Sequence, residues 1–297
     1  MLQFIVTNII GVYCMIYIEK KPSKVLRKYI KCIWNMEYDG KLSASENERI
    51  LPDGYTEIII NFSDKIKCKQ EGGSQRILTR SFITGPFSRY IHLEPNGKIG
   101  LLGIRFWPGM MHTFLDIPMN ELTNNYYDLS LIMGKFADEV EYKVHDAKDF
   151  DERFKILDTT LVQYMLGNFN PPNKTIEFAI NNIINTNGLM SIEDLAEKIG
   201  IGTRQLQRLF SQKVGLSPKT FTKIIRFQRI FKELETDHIS NWLILALQCG
   251  YYDQAHFIKE FKQFSGLTPT SYFSGNKELT QYFTTKIKMT DLYNTFI

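Results

Sequence analysis

An internal repeat in the last third of the chain is the feature that most limits how it can fold. Residues 215–221 read Gly-Leu-Ser-Pro-Lys-Thr-Phe, and residues 266–272, which lie 51 positions later, read Gly-Leu-Thr-Pro-Thr-Ser-Tyr. The same spacing relates Phe210 to Phe261. Self-similarity of this kind indicates two copies of one small supersecondary unit.

The first copy has the pattern of a helix-turn-helix. Ser191 is suited to cap a helix over 192–199, and Gly200 is suited to end that helix in a left-handed conformation. Thr203 can cap a second helix over 204–213. The second copy repeats the pattern, with caps predicted at Ser240 and Asp253 and a turn at Gly250.

Helical spacing separates the side chains of each second helix into two faces. Positions i, i+3 and i+4 place Arg204, Gln207 and Arg208 on one outward face. The apolar residues between them form the inward face. In the second copy Gln254, Ile258 and Lys259 are expected to point outward, with His256 beside them.

Basic residues are concentrated in the first copy. The stretch from Lys198 to Lys232 contains nine Lys or Arg and no Asp or Glu, although the whole chain has 36 basic and 32 acidic residues. Helices exposed to solvent usually carry both acidic and basic side chains. A stretch of one sign suits a polyphosphate partner, and Arg and Gln side chains can also read guanine and adenine edges.

These features together resemble the AraC family of bacterial transcription regulators, over about 174–275. The motifs that carry the resemblance are Ser191–Ala196, Leu206–Phe210, Gly215–Pro218, Cys249–Tyr251, His256-Phe257, Phe261-Lys262 and Gly266–Tyr272. The resemblance implies a linking helix over about Pro218–Glu235 and two recognition helices in successive major grooves of double-stranded DNA.

The resemblance also implies which side chains contact DNA. In the first recognition helix they are Thr203, Arg204, Gln207 and Arg208, and in the second they are Gln254, His256 and Lys259. Because the second set lacks Arg at its outer positions and Glu260 lies nearby, we expect weaker or less specific recognition of DNA there.

The N-terminal part has strand signals followed by helix signals. Asn-Gly within Pro95–Lys98 predicts a hairpin that joins Arg89–Leu93 to Ile99–Trp107. Residues 65–74 are expected to form an exposed loop or hairpin tip. Helices are expected over 128–143 and 149–166, each starting on an Asp. Motifs such as Gly103–Gly109 resemble an uncharacterised domain, similar to a degenerate cupin-like barrel that senses small molecules.

The sequence therefore predicts a multidomain α+β protein. A β-rich, barrel or cupin-like domain with helices (1–167, sensing or dimerisation) precedes an all-α domain of two helix-turn-helix units (174–275) and a tail (276–297). Two prolines among asparagines at 168–173 mark the boundary.

Other functions are weighed against this one. We find no Gly-x-Ser-x-Gly, Walker or His-Glu-x-x-His motif, so we expect no catalytic residue, cofactor or metal. A DNA-alkylation repair protein with the same DNA-binding module is the alternative, but it needs paired cysteines, and Cys14, Cys32 and Cys68 are 18 and 36 residues apart. A small-molecule enzyme in the front half also stays open, because Trp34 and the run Arg105-Phe106-Trp107 suit either a pocket or a barrel core.

The first 18 residues are apolar but lack a basic start and a cleavage site, which favours a strand over a signal peptide. Met15 is an alternative start. We expect a cytoplasmic protein with double-stranded DNA as its partner and no membrane. A small-molecule effector, RNA polymerase and a second copy in a homodimer are further candidate partners.

Overall fold

The computed structural model describes residues 2–7, 14–38, 48–70, 75–95, 97–236 and 241–274. The tail predicted at 276–297 and the cap predicted at Ser240 lie outside these residues. A β-rich region with three helices comes first, and a helical region follows, as the sequence predicts. In the described part of the chain, no helix combines the length and apolar character needed to cross a lipid bilayer.

The strands of the first region form two antiparallel sheets. They are β1 (Leu2–Thr7), β2 (Cys14–Lys20), β3 (Ile30–Tyr38), β4 (Glu48–Ile50), β5 (Thr56–Asn61), β6 (Ile66–Gln70), β7 (Arg76–Ile77), β8 (Ser81–Thr84), β9 (Ile91–Pro95), β10 (Ile99–Phe106) and β11 (Tyr126–Asp128). The larger sheet has seven strands in the order β1-β2-β3-β10-β5-β8-β11, and the smaller has four in the order β4-β9-β6-β7.

Alternation along the central strands supplies two separate cores. On β5, Ile58 and Ile60 face one side of the large sheet, and Ile59 faces the other. The first side is covered by the helices α1 (Leu129–Met133), α2 (Lys135–Asp146) and α3 (Phe150–Asn168). The second side meets the small sheet, whose Ile66 and Ile91 complete the inner core. Period-two side chains thus let one sheet bury both of its faces.

The hairpin predicted across Pro95–Lys98 is wrong. β9 pairs with β4 and β6 in the small sheet, whereas β10 pairs with β3 and β5 in the large one. The chain crosses between sheets here, and the Lys98 N–H donates to Asp64 Oδ2 at 2.9 Å. The apolar faces of the flanking strands, rather than the Asn-Gly pair, decide where each strand pairs.

The exposed loop or hairpin tip expected over 65–74 is wrong in part, although β6 and β7 do pair as antiparallel neighbours. Residues Ile66–Gln70 form β6, because Ile66 and Cys68 alternate inward against β9. Residues 71–74 lie outside the described part. By contrast, both predicted helix starts are confirmed, since Asp128 accepts from the Ser130 N–H and Asp149 accepts from the Glu152 N–H.

The helical region consists of α4 (Lys174–Asn185), α5 (Ile192–Ile199), α6 (Thr203–Val214), α7 (Pro218–Thr236), α8 (Trp242–Gln248), α9 (Gln254–Ser265) and α10 (Pro269–Ser274). Its core is one cluster dominated by aromatic rings, among them Phe227, Phe257 and Phe261, all fully buried. α7 is the long linking helix that the sequence predicts, and it contacts elements of both units.

The two regions meet in a close interface. Leu51 and Tyr90 of the β-rich region are buried in the helical core cluster. Gly109, with φ +70°, lies so close to α4 that a Cβ there would be 2.5 Å from Ile180 Cδ1. Gly215, with φ +86°, would place a Cβ 2.8 Å from the Met119 carbonyl oxygen. The positive φ favours glycine at both points, and at Gly215 the neighbouring backbone carbonyl also leaves no space for a side chain.

Candidate DNA-binding surface

The first helix-turn-helix is fixed by its own turn residues. Ser191 Oγ accepts from the Asp194 N–H at 3.0 Å and starts α5. Gly200 ends α5 with φ 78°, in the left-handed region, and Gly215 ends α6 in the same way. Both ends agree with the prediction, because glycine adopts this conformation without a steric penalty.

Thr203 does not cap α6 as predicted. Gly202 occupies the N-cap position, with no side-chain hydrogen bond to the helix, and Thr203 is the first helical residue. Glycine is tolerated at an N-cap because it leaves the first N–H groups accessible. The start of α6 consequently presents unsatisfied N–H groups and the positive end of the helix dipole.

The outward face of α6 carries the residues that the sequence singles out. Arg204, Gln207 and Arg208 are all exposed, and Thr203 is half-buried beside them. The opposite face buries Leu206, Phe210 and Val214. The structure therefore brings two guanidinium groups and one amide together on a surface one helical turn long.

The second unit repeats this design on α9. Asp253 Oδ1 accepts from the His256 N–H at 2.7 Å, which confirms the predicted cap. Gln254 and Lys259 are exposed, whereas Phe257 and Phe261 are buried. Ile258, which the sequence predicts to point outward, is half-buried and packs against the helical core. The first helix of this unit is capped by Asn241, whose side chain accepts from the Leu243 N–H.

His256 differs from the other predicted contacts because it is half-buried and has neighbours. Its ring lies edge-on to Tyr251, with centroids 5.3 Å apart, and its Nε2 is 3.8 Å from Glu260 Oε2. Its side chain is 40% exposed, so part of its surface still faces outward.

Glu260 occupies a buried position that sequence reasoning missed. Its side chain is 2% exposed and faces α7, where Arg226 Nη2 donates to both carboxylate oxygens at 2.8 Å. Lys223 Nζ lies 3.1 Å from Glu260 Oε2. Glu260 is thus turned away from the surface that holds Gln254 and Lys259, so it gives no reason to expect weaker recognition there. The absence of Arg at the outer positions of α9 still predicts weaker or less specific recognition by the second unit.

Comparison with known proteins identifies this arrangement. Residues 195–275 match the family described as a helix-turn-helix domain. This part of the chain is an AraC-type helix-turn-helix domain. Residues 18–128, in front of it, match a family described as a domain of unknown function (DUF6597).

The relatives match part of this chain. The chain is 37% identical over 81 residues to an uncharacterized HTH-type transcriptional regulator of Haemophilus influenzae, covering 27% of each chain. It is 30% identical over 88 residues to the HTH-type transcriptional activator AarP of Providencia stuartii, covering 30% of this chain and 64% of AarP. The matches therefore span less than two thirds of either relative. Among solved structures, ToxT of Vibrio cholerae superposes with a TM-score of 0.47 at 10% identity, over 82% of this chain and 98% of ToxT.

The basic stretch of the AraC-type domain is partly neutralised by the fold. Arg226 and Lys223 pair with Glu260, and Arg229 Nε pairs with Glu233 at 2.9 Å. Both acids lie outside the acid-free stretch, so inspection of that stretch alone could not find them. The cations that remain exposed include Arg204 and Arg208.

The cysteines do not suit the repair chemistry considered as an alternative. Cys32 and Cys68 are buried, and burial raises the pKa of the Cys32 thiol to about 12 and that of Cys68 to about 11. A thiol held in its protonated form is a poor nucleophile and a poor metal ligand. Among the described residues there is also no group of three or more His, Cys, Asp and Glu that could hold a metal ion.

Trp34 and Arg105 lie together on the inner face of the large sheet, where they line a cavity. Phe106 and Trp107, which follow Arg105 in the sequence, do not line this cavity. Phe106 is buried on the helix-covered face, and Trp107 Nε1 donates to the Arg27 carbonyl.

Proposed function

We propose that this protein is a sequence-specific regulator of transcription that binds double-stranded DNA through α6 and α9. The proposal assigns DNA binding to 174–275 and the sensing of a small molecule to 1–167. The observation that carries it is the exposed group Arg204, Gln207 and Arg208 on the second helix of an AraC-type helix-turn-helix.

The chemistry of this surface suits a duplex. Exposed Arg side chains neutralise phosphates or bind the O6 and N7 atoms of guanine, and Gln binds the N6 and N7 atoms of adenine. The N-terminus of α6 adds N–H groups and a positive dipole end, which favour a phosphate. On α9 we assign Gln254, His256 and Lys259 to the second contact.

The two relatives named above support the same function, since both are described as HTH-type transcriptional regulators or activators. Their matches extend over 81 and 88 residues of this chain, about the length of the matched helix-turn-helix domain. This similarity supports DNA binding and leaves the choice of effector to the β-rich region.

The test begins with selection of bound duplexes from a random library, followed by titration of the best duplex at several salt concentrations. Arg204→Ala with Arg208→Ala should weaken binding by at least tenfold, because each good Arg–base pair contributes roughly 1–3 kcal/mol. Where an arginine instead contacts a phosphate, the slope of log affinity against log salt should fall by about 0.9 per contact.

A matched control removes the same charge elsewhere. Lys148 and Lys155 are exposed in the β-rich region, so Lys148→Ala with Lys155→Ala should leave affinity for the selected duplex within about twofold. Gln207→Ala should relax the preference at one base pair while leaving the salt slope unchanged. The proposal is refuted if the double arginine variant binds the selected duplex as tightly as the unaltered chain.

A further inference from the structure

A cavity of about 160 Å³ lies between the two sheets of the β-rich region. Its walls are mostly apolar, with Trp34, Ile59 and Leu101 on the large sheet and Ile66 and Ile91 on the small one. A cavity of roughly 150 Å³ with such walls accommodates a benzene-sized molecule. The size therefore suits a ligand built around one ring or a short branched chain.

One end of the cavity is polar and balanced in charge. Glu57 accepts from Arg105 Nε at 2.6 Å and from Trp34 Nε1 at 3.1 Å, and Arg105 Nη2 lies 4.0 Å from Asp53. Lys31 is close by, with its ammonium group 4.7 Å from the centre of the Tyr55 ring. Glu19, which is buried and accepts from the Tyr17 hydroxyl at 2.6 Å, adds a third carboxylate to Asp53 and Glu57. Burial raises the pKa of Asp53, which favours its uncharged form and leaves Glu19 and Glu57 matched by Arg105 and Lys31.

This balance favours an uncharged ligand. A ligand carrying a net charge would enter a buried site whose charges already compensate one another, and burying an unmatched charge is costly. The side chains at this end of the cavity show the same cost of burying a charge, since burial raises the pKa of Asp53 and lowers that of Lys31 to about 8. A hydroxyl or N–H group can instead bond to a carboxylate, as the Trp34 indole does to Glu57.

Residues 49–55, which we call the strap, form one wall of the cavity. Ile50, Leu51, Pro52, Asp53 and Tyr55 all line it. The strap also carries the polar end, because Asp53 belongs to it and Tyr55 lies beside Arg105. A ligand in the cavity therefore contacts the strap directly.

The other side of the strap contacts α7 and α9 of the AraC-type domain. The Pro52 carbonyl accepts from Gln228 Nε2 at 2.6 Å, which ties the strap to α7. Arg49 Nη1 donates to the Ser265 carbonyl at 2.8 Å, at the last turn of α9. Gly54, with φ +81°, lies so close to Phe221 of α7 that a Cβ there would be 2.8 Å from the ring.

α6 is held by a different part of the β-rich region. Thr123 donates to the Gly215 carbonyl at the end of α6, and Pro86 lies against the same glycine. Movement of the strap would therefore shift α7 and α9 relative to α6. Because α6 and α9 carry the two sets of proposed DNA contacts, such a shift changes how well both can engage one duplex.

We propose that the cavity binds a small, uncharged, largely apolar molecule with one hydroxyl or N–H group, and that the strap transmits its occupancy to the recognition helices. The binding half of this proposal stands on the cavity alone. The transmission half rests on the proposed DNA-binding function.

The first experiment tests the ligand class with three probes of matched shape: benzyl alcohol, benzoate and benzylammonium. Each is titrated into the full chain while tryptophan fluorescence is followed, with Trp34→Phe to show that the signal comes from the cavity. Benzyl alcohol should bind at least tenfold more tightly than either ion. Failure of benzyl alcohol to saturate, or equal binding by an ion, overturns the assignment.

Hydrogen exchange of the full chain locates the probe. Benzyl alcohol should slow exchange of backbone amides in the strap and in β5. Slowing confined to other segments, with the strap and β5 unaffected, would place the probe elsewhere and overturn the site.

The second experiment measures coupling with the selected duplex. Saturating benzyl alcohol should change the affinity for DNA by roughly fivefold or more, and DNA should change the affinity for benzyl alcohol by the same factor. Gln228→Ala and Arg49→Gln should each bring this factor towards one while benzyl alcohol still binds. Gln248→Ala removes an exposed glutamine of α8 and should leave the factor unchanged.

The outcomes separate the two proposals. If no duplex is selected or bound, the DNA-binding function fails, whereas fluorescence and hydrogen exchange still decide the cavity. If DNA and benzyl alcohol both bind but their coupling is absent, or persists unchanged in both strap variants, transmission through the strap is wrong.

Discussion

Replacing Glu260 by glutamine should destabilise the second helix-turn-helix more than any other single charge removal in the ion pairs of α7. Glu260 is 2% exposed, and its carboxylate accepts from Arg226 Nε at 3.1 Å and from Arg226 Nη2 at 2.8 Å. Lys223 Nζ adds a third cationic contact at 3.1 Å. Glutamine keeps the shape but has no negative charge and only one acceptor oxygen.

The magnitude follows from the cation that is left behind. The Arg226 side chain is 15% exposed, so water can replace the lost carboxylate only in part. Removing one partner of such a buried pair typically costs about 3–5 kcal/mol, because the remaining charge is uncompensated. We expect the free energy of unfolding of this unit to fall by about 3 kcal/mol.

Urea denaturation followed by Trp242 fluorescence measures this loss. Trp242 stacks on Phe257 of α9 with centroids 6.1 Å apart, so it reports on the second unit. Trp34→Phe and Trp107→Phe remove the other two tryptophans of the chain. All variants are compared within this background.

Glu233→Gln is the matched control. Its pair with Arg229 is on the same helix, and both side chains are more exposed, at 24% and 19%. Pairs of this i,i+4 type contribute about 0.3–0.5 kcal/mol. A loss below about 1 kcal/mol for Glu260→Gln, or an equal loss for Glu233→Gln, would refute the reasoning. The double variant Arg226→Met with Glu260→Met should recover much of the stability, because no buried charge is left unpaired.

Two further predictions concern stability. His112 is buried, and desolvation, with Lys213 as the second cause, lowers its pKa from 6.5 to about 4. The unfolded state therefore binds a proton at His112 more readily than the folded state does. The contribution of neutral His112 to the free energy of unfolding should be fully present above pH 6.5, and about 3 kcal/mol should be lost as the pH falls towards 4. His112→Gln should remove this part of the acid sensitivity in denaturation curves at pH 7 and pH 4.5, and an unchanged pH dependence would contradict it. Asp253→Ala should lower the stability of the second unit by about 1 kcal/mol through loss of the α9 cap. Thr203→Ala, which removes no capping bond, should cost less than half as much by the same measurement, and equal losses would show that the cap of α9 does not stabilise it.

Much of the AraC-type domain could be predicted from the sequence because its signals are local. Ser191, Asp253 and the glycines at 200, 215 and 266 each determine the backbone within a few residues. Helical periodicity then separates the exposed Arg204, Gln207 and Arg208 from their buried neighbours. Whether these side chains contact DNA remains a prediction.

The features that could not be predicted depend on contacts distant in sequence. Asn-Gly near residue 96 favours a turn, but the sheet that each flanking strand joins is decided by partners elsewhere. Glu260 looked like an acid beside the recognition face, because only the position of α7 shows that its carboxylate is buried. The contact of the strap with α9 could not be predicted for the same reason, since Arg49 and Ser265 are 216 residues apart.

The shared interface between the two regions bears on how this protein can be produced. Leu51 and Tyr90 complete the helical core from outside it, and Gly109 lies directly against Ile180. A shortened version that starts at Lys174 would expose to water the parts of Ile176, Ile180 and Val214 that Gly109 now contacts. Expression trials that cut the chain there should yield aggregation-prone material, and transplanting residues 174–274 behind an unrelated partner would need new side chains at those positions.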